Sequence, residues 1–178
     1  MMRRTAPFLA VPAIKNLING EFTESKATTF YDVINPATGS VIAKTPQSTL
    51  EEMKAAAANA SEAQKKWRQT SVSNRVRVML KYQQLIRENT KAIVEILTEE
   101  QGKTHIDAEG DLFRGLEIVE HSCSMGTLIM GETVENVSAH MDTYSYRQPL
   151  GVTAGICPFN FPAMIPLWMF PMAIACGN

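Results

Sequence analysis

The sequence predicts an α/β fold, and three observations support this prediction. Short β-forming runs separated by turn residues occupy residues 16–43. Between residues 49 and 124, apolar side chains recur at the three- and four-residue spacing of amphipathic helices. An apolar run with Val152, Thr153 and Ile156 then has the character of a buried parallel strand, and a turn and an apolar helix follow it. Strand, loop and helix in this order place the loop where open α/β sheets bind ligands.

A small β ribbon is predicted at the start of the folded chain. Leu17 and Ile18 are separated from Phe22 by an Asn-Gly turn, which is a hairpin signal. Residues 33–34 and 41–43 flank a second turn segment in the same way. We expect both hairpins to be structural.

Helices are predicted next. Thr49 and Glu52 have the spacing of a capping box at the start of the first helix. Ser73 is predicted to cap the second helix, and Thr90 to begin a third that Gly102 ends. These helices are interpreted as scaffold.

A fourth helix is predicted from about Thr104 to Ser124, and it is rich in charged residues. Arg114 lies between Asp111 and Glu117 at three-residue spacing, so the residues alone favour a charge ladder on a solvent-exposed face. His121 is interpreted as a surface or helix-end residue rather than a ligand.

Residues 131–149 are predicted to contain a strand that is exposed on one face. Tyr144 and Tyr146 alternate there with Ser145 and Arg147. An exposed edge strand can pair with another chain. The segment is therefore either an interaction arm or an ordinary surface hairpin.

Asn160 is the candidate catalytic residue of the last segment. Apart from the indole N–H of Trp168, it carries the only polar side chain between residues 159 and 176. Its amide could donate a hydrogen bond to a developing oxyanion, a role worth about 3 kcal/mol where it has been measured in a protease. On spacing alone, an asparagine that caps a helix beginning at Pro162 is favoured. Gly177 is predicted to end that helix.

Composition limits the partners of the chain. A net charge of −1, with 20% charged residues, gives no basic surface, so no nucleic-acid binding is expected. Cys123, Cys157 and Cys176 lack metal-ligand spacing, which predicts no metal site and a reducing compartment. Residues 156–176 carry no charge and are long enough to span a bilayer. Their prolines disfavour that, so no membrane segment is predicted.

Residues 1–14 resemble a targeting segment. They contain two arginines, and no acidic residue occurs before Glu21. This favours a mitochondrial transit segment over a secretory signal, whose apolar core Pro7 and Pro12 would interrupt. The predicted location is mitochondrial and otherwise cytoplasmic, since an untargeted tail is the alternative.

Several longer strings resemble one enzyme family. Pro158-Phe-Asn-Phe-Pro162, followed by an apolar helix that closes on Ala175-Cys-Gly-Asn178, is similar to the signature of the aldehyde dehydrogenase superfamily. The sequence of residues 156–172 resembles that of its methylmalonate-semialdehyde dehydrogenase branch. Much of the family has tryptophan at the position of Phe159, and this branch has phenylalanine there. Further matching strings lie upstream, at residues 16–22, 33–39, 99–103 and 111–115.

The resemblance implies a domain organisation. It makes residues 15–130 the first part of an NAD-binding domain with a Rossmann-like sheet, and residues 150–178 its continuation. Residues 131–149 would be the β arm through which subunits of a homotetramer associate.

The resemblance also implies an activity: NAD-dependent oxidation and decarboxylation of malonate or methylmalonate semialdehyde, with coenzyme A as co-substrate, in valine and pyrimidine catabolism. It implies that Asn160 donates to the oxyanion, that Cys157 and Phe159 line the cofactor site, and that Arg114 binds the substrate carboxylate. The family's nucleophilic cysteine and catalytic glutamate would follow Asn178. The 178 residues alone are therefore expected to be inactive, and a non-catalytic subunit that joins full-length homologues is the alternative.

Overall fold

The structure is a computed structural model that describes residues 11–178, which form six helices and three two-stranded antiparallel sheets. In chain order the elements are β1 (Asn16–Ile18), β2 (Glu21–Thr23), β3 (Phe30–Ile34), β4 (Val41–Pro46), α1 (Leu50–Trp67), α2 (Val72–Glu88), α3 (Thr90–Gln101), α4 (His105–Ser122), α5 (Met125–Leu128), β5 (Thr133–Ser138), β6 (Met141–Tyr144) and α6 (Met164–Ala175).

The two predicted N-terminal hairpins are confirmed. β1 pairs with β2, and β3 pairs with β4. Asn19 and Gly20, in the first turn, have φ values of 55° and 76°, as a two-residue hairpin turn of this kind requires. Ala13 adds a parallel bridge to Lys44 of β4.

Side-chain caps set the N-terminal ends of three helices, α1, α2 and α4. The capping box of Thr49 and Glu52 is confirmed. Its carboxylate accepts the backbone N–H groups of Thr49 and Lys26, which hold the pKa of Glu52 at about 2. The predicted cap at Ser73 is wrong: Ser71 accepts the N–H of Asn74, because Ser71 is the last extended residue before the helical turns begin.

Glycines end two helices as predicted. Gly102 follows α3 with a φ of 84°. Gly177 follows α6 with a φ of 96°, and its N–H donates to the carbonyl of Ile174 while that of Asn178 donates to Ala173. This pair of bonds is a Schellman motif, which satisfies the carbonyls that a helix end leaves free.

α4 is the central helix, and it packs against α2, α3 and α6. Its buried face is part of one apolar cluster whose members come from four helices. The cluster comprises Ile86, Val94, Leu97, Ala108, Leu112, Leu116, Val119 and Leu167. α6 follows directly after the segment that contains Asn160, and it is thus held in place mainly by α4.

Gly115 sets the distance between α4 and α6. A Cβ added there would lie 2.6 Å from Cδ1 of Leu167 and 3.2 Å from the Cα of Met164. The second contact is with backbone, so the two helices would have to separate. A glycine inside this helix is therefore required by packing.

We expect Gly115→Ala to destabilise the full-length protein by about 1–3 kcal/mol, as overpacking does. The helix-propensity gain of alanine, about 1 kcal/mol, is too small to offset it. Gly110→Ala is the matched control on the same helix, because nothing lies within 4 Å of its added Cβ. It should leave stability unchanged or raise it. Midpoints of urea unfolding measure both, and equal behaviour of the two variants would contradict the packing role.

The predicted strand around residues 152–156 is wrong. Residues 152–157 form no regular structure, and Val152 and Ile156 are 48% and 94% exposed. A parallel strand needs a neighbour for its hydrogen bonds, and no strand among residues 11–178 lies beside this segment. The backbone conformation that the apolar run favours therefore has no sheet to join.

α6 begins at Met164 rather than at the predicted Pro162, which lies in the preceding turn. Two further prolines fall within the helix. Pro166 is its third residue, where an N–H has no intrahelical partner in any case. Pro171 is fully buried and removes one backbone bond. With 12 residues, α6 falls short of a membrane span, and no helix within residues 11–178 is both long and apolar enough for one.

β5 and β6 form a hairpin whose strand residues are all exposed. β6 ends at Tyr144, so the predicted continuation of the strand through Tyr146 is wrong. Beyond it, Ser145 donates its N–H to the carbonyl of Glu132, and Arg147 Nε donates to the carbonyl of Met130. These bonds tie the base of the hairpin together.

Candidate active site

The turn before α6 is built against α4 by one buried carboxylate. The side chain of Asp111 is 0% exposed, and its Oδ1 accepts the N–H of Met164, the first residue of α6, at 2.7 Å. A carboxylate at a helix N-terminus satisfies a free donor and complements the helix dipole. α6 has no side-chain cap of its own. The interpretation of Asn160 as its cap is therefore wrong, because Asp111 of α4 does this work.

Lys103 holds the same turn from the other side. Its Nζ donates to Asp111 Oδ2 at 2.7 Å and to the backbone carbonyl of Asn160 at 3.0 Å. The ammonium also lies 4.7 Å from the centre of the Phe161 ring, within the range of a cation–π contact. The turn is thus fixed through its backbone and one ring, not through the Asn160 side chain.

The amide of Asn160 makes no hydrogen bond with any described residue, and Asn160 is exposed. A carboxamide whose backbone is held while its NH2 group stays free can donate to an external acceptor. An oxyanion donor needs such a free N–H and also an orientation that exists before the charge develops. Here the backbone of Asn160 is held through its carbonyl, which limits that orientation.

Cys157 borders a cavity beside α6. Its Sγ lies 3.6 Å from the Sδ of Met169, and the cavity has a volume of about 370 Å³. Gly155 also lines the cavity, and a Cβ added at Gly155 would lie 2.7 Å from the Sδ of Met169. Phe159 is 87% exposed and does not line the cavity. The two residues predicted to contact a cofactor thus lie on one accessible segment but do not share a pocket.

Arg114 is exposed on α4, one turn after Asp111. The predicted charge ladder is wrong, since Asp111 points into the core and pairs with Lys103. Within residues 11–178, the guanidinium of Arg114 has no carboxylate partner. Its backbone carbonyl accepts the indole N–H of Trp168, which ties this part of α4 to α6.

Cys123 and Glu120 also have shifted pKa values, and the groups around them are those of structural residues. Burial, followed by the charge of Glu120, raises the pKa of the Cys123 thiol. Hydrogen bonds from Arg87 and then Gln83 lower the pKa of Glu120. No three histidine, cysteine or acidic side chains come together as a metal site in the described part of the chain. None of these groups adds chemistry to the site.

Sequence reasoning missed the roles of Lys103 and Asp111. A local signal existed for Asp111, because it shares the helix face of Ala108, Leu112 and Gly115, which is the buried face. An acid on an apolar stripe predicts a buried partner. Lys103 had no such signal, since its contacts lie 8 and 57 residues away.

Residues 22–178 match the aldehyde dehydrogenase family. The mitochondrial methylmalonate-semialdehyde dehydrogenase [acylating] of Arabidopsis thaliana is 59% identical over 94% of this chain and 28% of that protein. The mitochondrial methylmalonate-semialdehyde/malonate-semialdehyde dehydrogenase [acylating] of Homo sapiens is 58% identical over 95% of this chain and 32% of its own length. The chain thus spans about a third of the curated relatives it matches.

Solved structures agree. Methylmalonate-semialdehyde dehydrogenase from Oceanimonas doudoroffii is 42% identical, with a TM-score of 0.91 over 94% of this chain and 34% of that one. A Sinorhizobium meliloti protein assigned the same activity and solved with NAD is 41% identical, with a TM-score of 0.89 over 93% of this chain and 34% of that one. These likenesses confirm the predicted N-terminal part of the fold. By sequence and by structure, the chain belongs to the aldehyde dehydrogenase family.

Proposed function

We propose that the full-length protein oxidises malonate and methylmalonate semialdehydes with NAD and transfers the decarboxylated acyl group to coenzyme A. The observation that carries the proposal is the identity of 58–59%, across nearly the whole chain, to relatives named for this activity. The relatives are longer, so the nucleophile and the catalytic glutamate of the family would be supplied by residues after Asn178.

In such a reaction NAD accepts a hydride from the bound substrate. Asn160 donates its amide N–H to the oxyanion that forms when a thiolate adds to the aldehyde carbon. The exposed backbone of residues 152–157 and the exposed ring of Phe159 fit part of a cofactor wall, because both are free to contact a flat ring system. Cys157 belongs to this wall and is not proposed as the nucleophile, since among residues 11–178 its Sγ contacts the sulfur of Met169 and no base donates to or accepts from it.

Arg114 is proposed to bind the carboxylate of the semialdehyde. Its guanidinium is exposed and unpaired among the described residues, and its geometry suits bidentate carboxylate recognition. Trp168 holds the backbone at this position, so the side chain starts from a fixed point.

We expect Arg114→Leu in the full-length protein to lower kcat/KM for the acidic semialdehyde by about 10- to 100-fold, the usual effect of losing a charge-assisted hydrogen bond. For a neutral aldehyde such as propionaldehyde, kcat/KM should change little. Arg68→Leu is the matched control, because Arg68 is also exposed and lies outside the site. An unchanged preference for acidic over neutral aldehydes in Arg114→Leu would refute the assignment.

The function itself is tested by product analysis. Purified full-length protein given the semialdehyde, NAD and coenzyme A should form NADH together with acetyl-CoA or propionyl-CoA. Oxidation of neutral aldehydes only, or a free dicarboxylate as the product in the presence of coenzyme A, would refute the proposal.

The 178 residues expressed as a separate polypeptide should bind no NAD and show no dehydrogenase activity. No strand among the described residues 11–178 supports the segment that would contact the cofactor, and Ile156 and Phe159 are exposed. Titration calorimetry measures this, and micromolar NAD binding would contradict it. If such a polypeptide co-purifies with a full-length homologue, the alternative of a non-catalytic subunit gains support.

Assembly and location belong to the same proposal. The hairpin of β5 and β6 has exposed residues, and no strand within residues 11–178 lies beside either of its edges, which suits an arm that pairs with another subunit of a homotetramer. The relatives from Arabidopsis thaliana and Homo sapiens are named as mitochondrial proteins, which supports a mitochondrial location. Of the predicted transit segment at residues 1–14, residues 1–10 lie outside the described residues.

A further inference from the structure

Lys103 and Asp111 form a buried ion pair directly behind the turn that carries Asn160. The two side chains are 10% and 0% exposed, and Nζ lies 2.7 Å from Oδ2. A buried pair must overcome the desolvation of both charges, so its presence is weak evidence for a stabilising role. A role for Lys103 and Asp111 beyond their mutual ion pair therefore has to follow from their other contacts.

Within residues 11–178, the other hydrogen bonds and the cation–π contact of the two side chains all go to residues 160–164. Asp111 Oδ1 accepts the N–H of Met164, and Lys103 Nζ donates to the carbonyl of Asn160 and faces the ring of Phe161. Three positions of one short turn are thus held by two side chains. The support is rigid, because α4 carries Asp111 and packs closely on α6 through Gly115.

These contacts fix the backbone of the turn and leave the side-chain amide of Asn160 free. With its carbonyl fixed by Lys103, the Asn160 side chain keeps only its own torsions to direct the NH2 group. An oxyanion donor must lie within about 2.7–3.1 Å of the charge that develops. A displacement of about 1 Å at a reacting centre can cost about 100-fold in rate.

We propose that Lys103 and Asp111 are positioning residues that fix the turn of residues 160–164 and thereby aim the Asn160 amide at the oxyanion. This inference rests on the oxyanion role proposed for Asn160. Neither side chain has to touch substrate, because each acts through the backbone of the turn.

The test uses the full-length protein and the variant Lys103→Met/Asp111→Asn. The new asparagine can still accept the N–H of Met164, while the bond to the Asn160 carbonyl and both charges are lost, so no charge is left buried alone. The first-turnover rate of NADH formation should fall by about 10- to 100-fold, as expected for a misplaced donor. NAD affinity and the KM for the semialdehyde should change little, because an interaction made only in the transition state affects kcat and not substrate binding.

Lys91→Met/Glu95→Gln is the matched control. It removes an ion pair from α3 whose side chains are 91% and 56% exposed and which lies outside the site. Its first-turnover rate should equal that of the unmodified protein, because an exposed pair contributes little.

A double-mutant cycle separates positioning from general stability. In an Asn160→Ala background, Lys103→Met/Asp111→Asn should lower the first-turnover rate by less than about 3-fold, because no donor remains to be aimed. A structural role alone would give the same factor in both backgrounds, and that result overturns the inference. If Asn160→Ala by itself leaves the rate unchanged, the oxyanion role of Asn160 fails first.

Lys103→Arg keeps the test decisive if the double variant folds poorly. It retains a charge beside Asp111 but shifts the donor that faces the Asn160 carbonyl. A fall of about 3- to 10-fold that disappears in the Asn160→Ala background supports positioning. An unchanged rate, or an equal fall in both backgrounds, contradicts it.

Discussion

Replacing Asn160 with alanine in the full-length protein is expected to lower the first-turnover rate of NADH formation by about 10²- to 10³-fold, the range measured when one oxyanion donor is removed. The amide of Asn160 is exposed and makes no hydrogen bond with a described residue, so its removal breaks nothing in the fold. The turn stays in place, because Lys103 holds the Asn160 carbonyl and Asp111 holds the start of α6.

Two measurements distinguish this expectation from a loss of structure. The melting temperature of Asn160→Ala and its affinity for NAD should stay close to those of the unmodified protein. The decrease should appear in the first turnover rather than in the KM for the aldehyde, because the donor acts on charge that exists only during reaction. A variant that retains its rate, or that loses rate and folding together, would remove Asn160 from the catalytic machinery.

The parts of the fold that sequence predicts correctly depend on neighbours in the chain. The capping box of Thr49, the hairpin turn at Asn19 and Gly20 and the helix ends at Gly102 and Gly177 each involve residues within about five positions. Such signals need no knowledge of tertiary contacts, because the same few residues make the bond and adopt the backbone conformation.

The wrong predictions from sequence arise where contacts with residues far away in the chain determine the local structure. The run around Val152 has strand composition, yet no neighbouring strand among the described residues gives it hydrogen bonds. Asn160 has the spacing of a helix cap, yet Asp111, which lies 53 residues before Met164 in the chain, supplies the carboxylate that accepts the N–H of Met164. Sequence alone favours the local solution in both cases because the competing contact cannot be seen.

For the candidate site, the sequence predicts which residues take part but not how they are arranged in space. The family resemblance predicts Arg114, Cys157 and Phe159, and Asn160 is predicted both by the resemblance and by its isolation as a polar side chain in an apolar segment. How the Asn160 amide is left free, and what holds its backbone, follows only from the contacts of Lys103 and Asp111.

We expect Asp111→Ala to destabilise the full-length protein by about 3–5 kcal/mol, the usual cost of breaking a buried ion pair by removing one partner. The substitution leaves the ammonium of Lys103, whose side chain is 10% exposed, without its carboxylate. It also leaves the N–H of Met164 without an acceptor at the start of α6. Midpoints of urea unfolding measure the loss.

Asp107→Ala is the matched control, because Asp107 lies in the first turn of the same helix and is exposed. Removing its contact with Thr104 should cost no more than about 1 kcal/mol. Lys103→Met/Asp111→Ala should recover part of the loss of the single variant, since no unpaired charge then remains buried. Equal losses in Asp111→Ala and Asp107→Ala would show that the buried carboxylate does not hold α6, and the positioning role would fall with it.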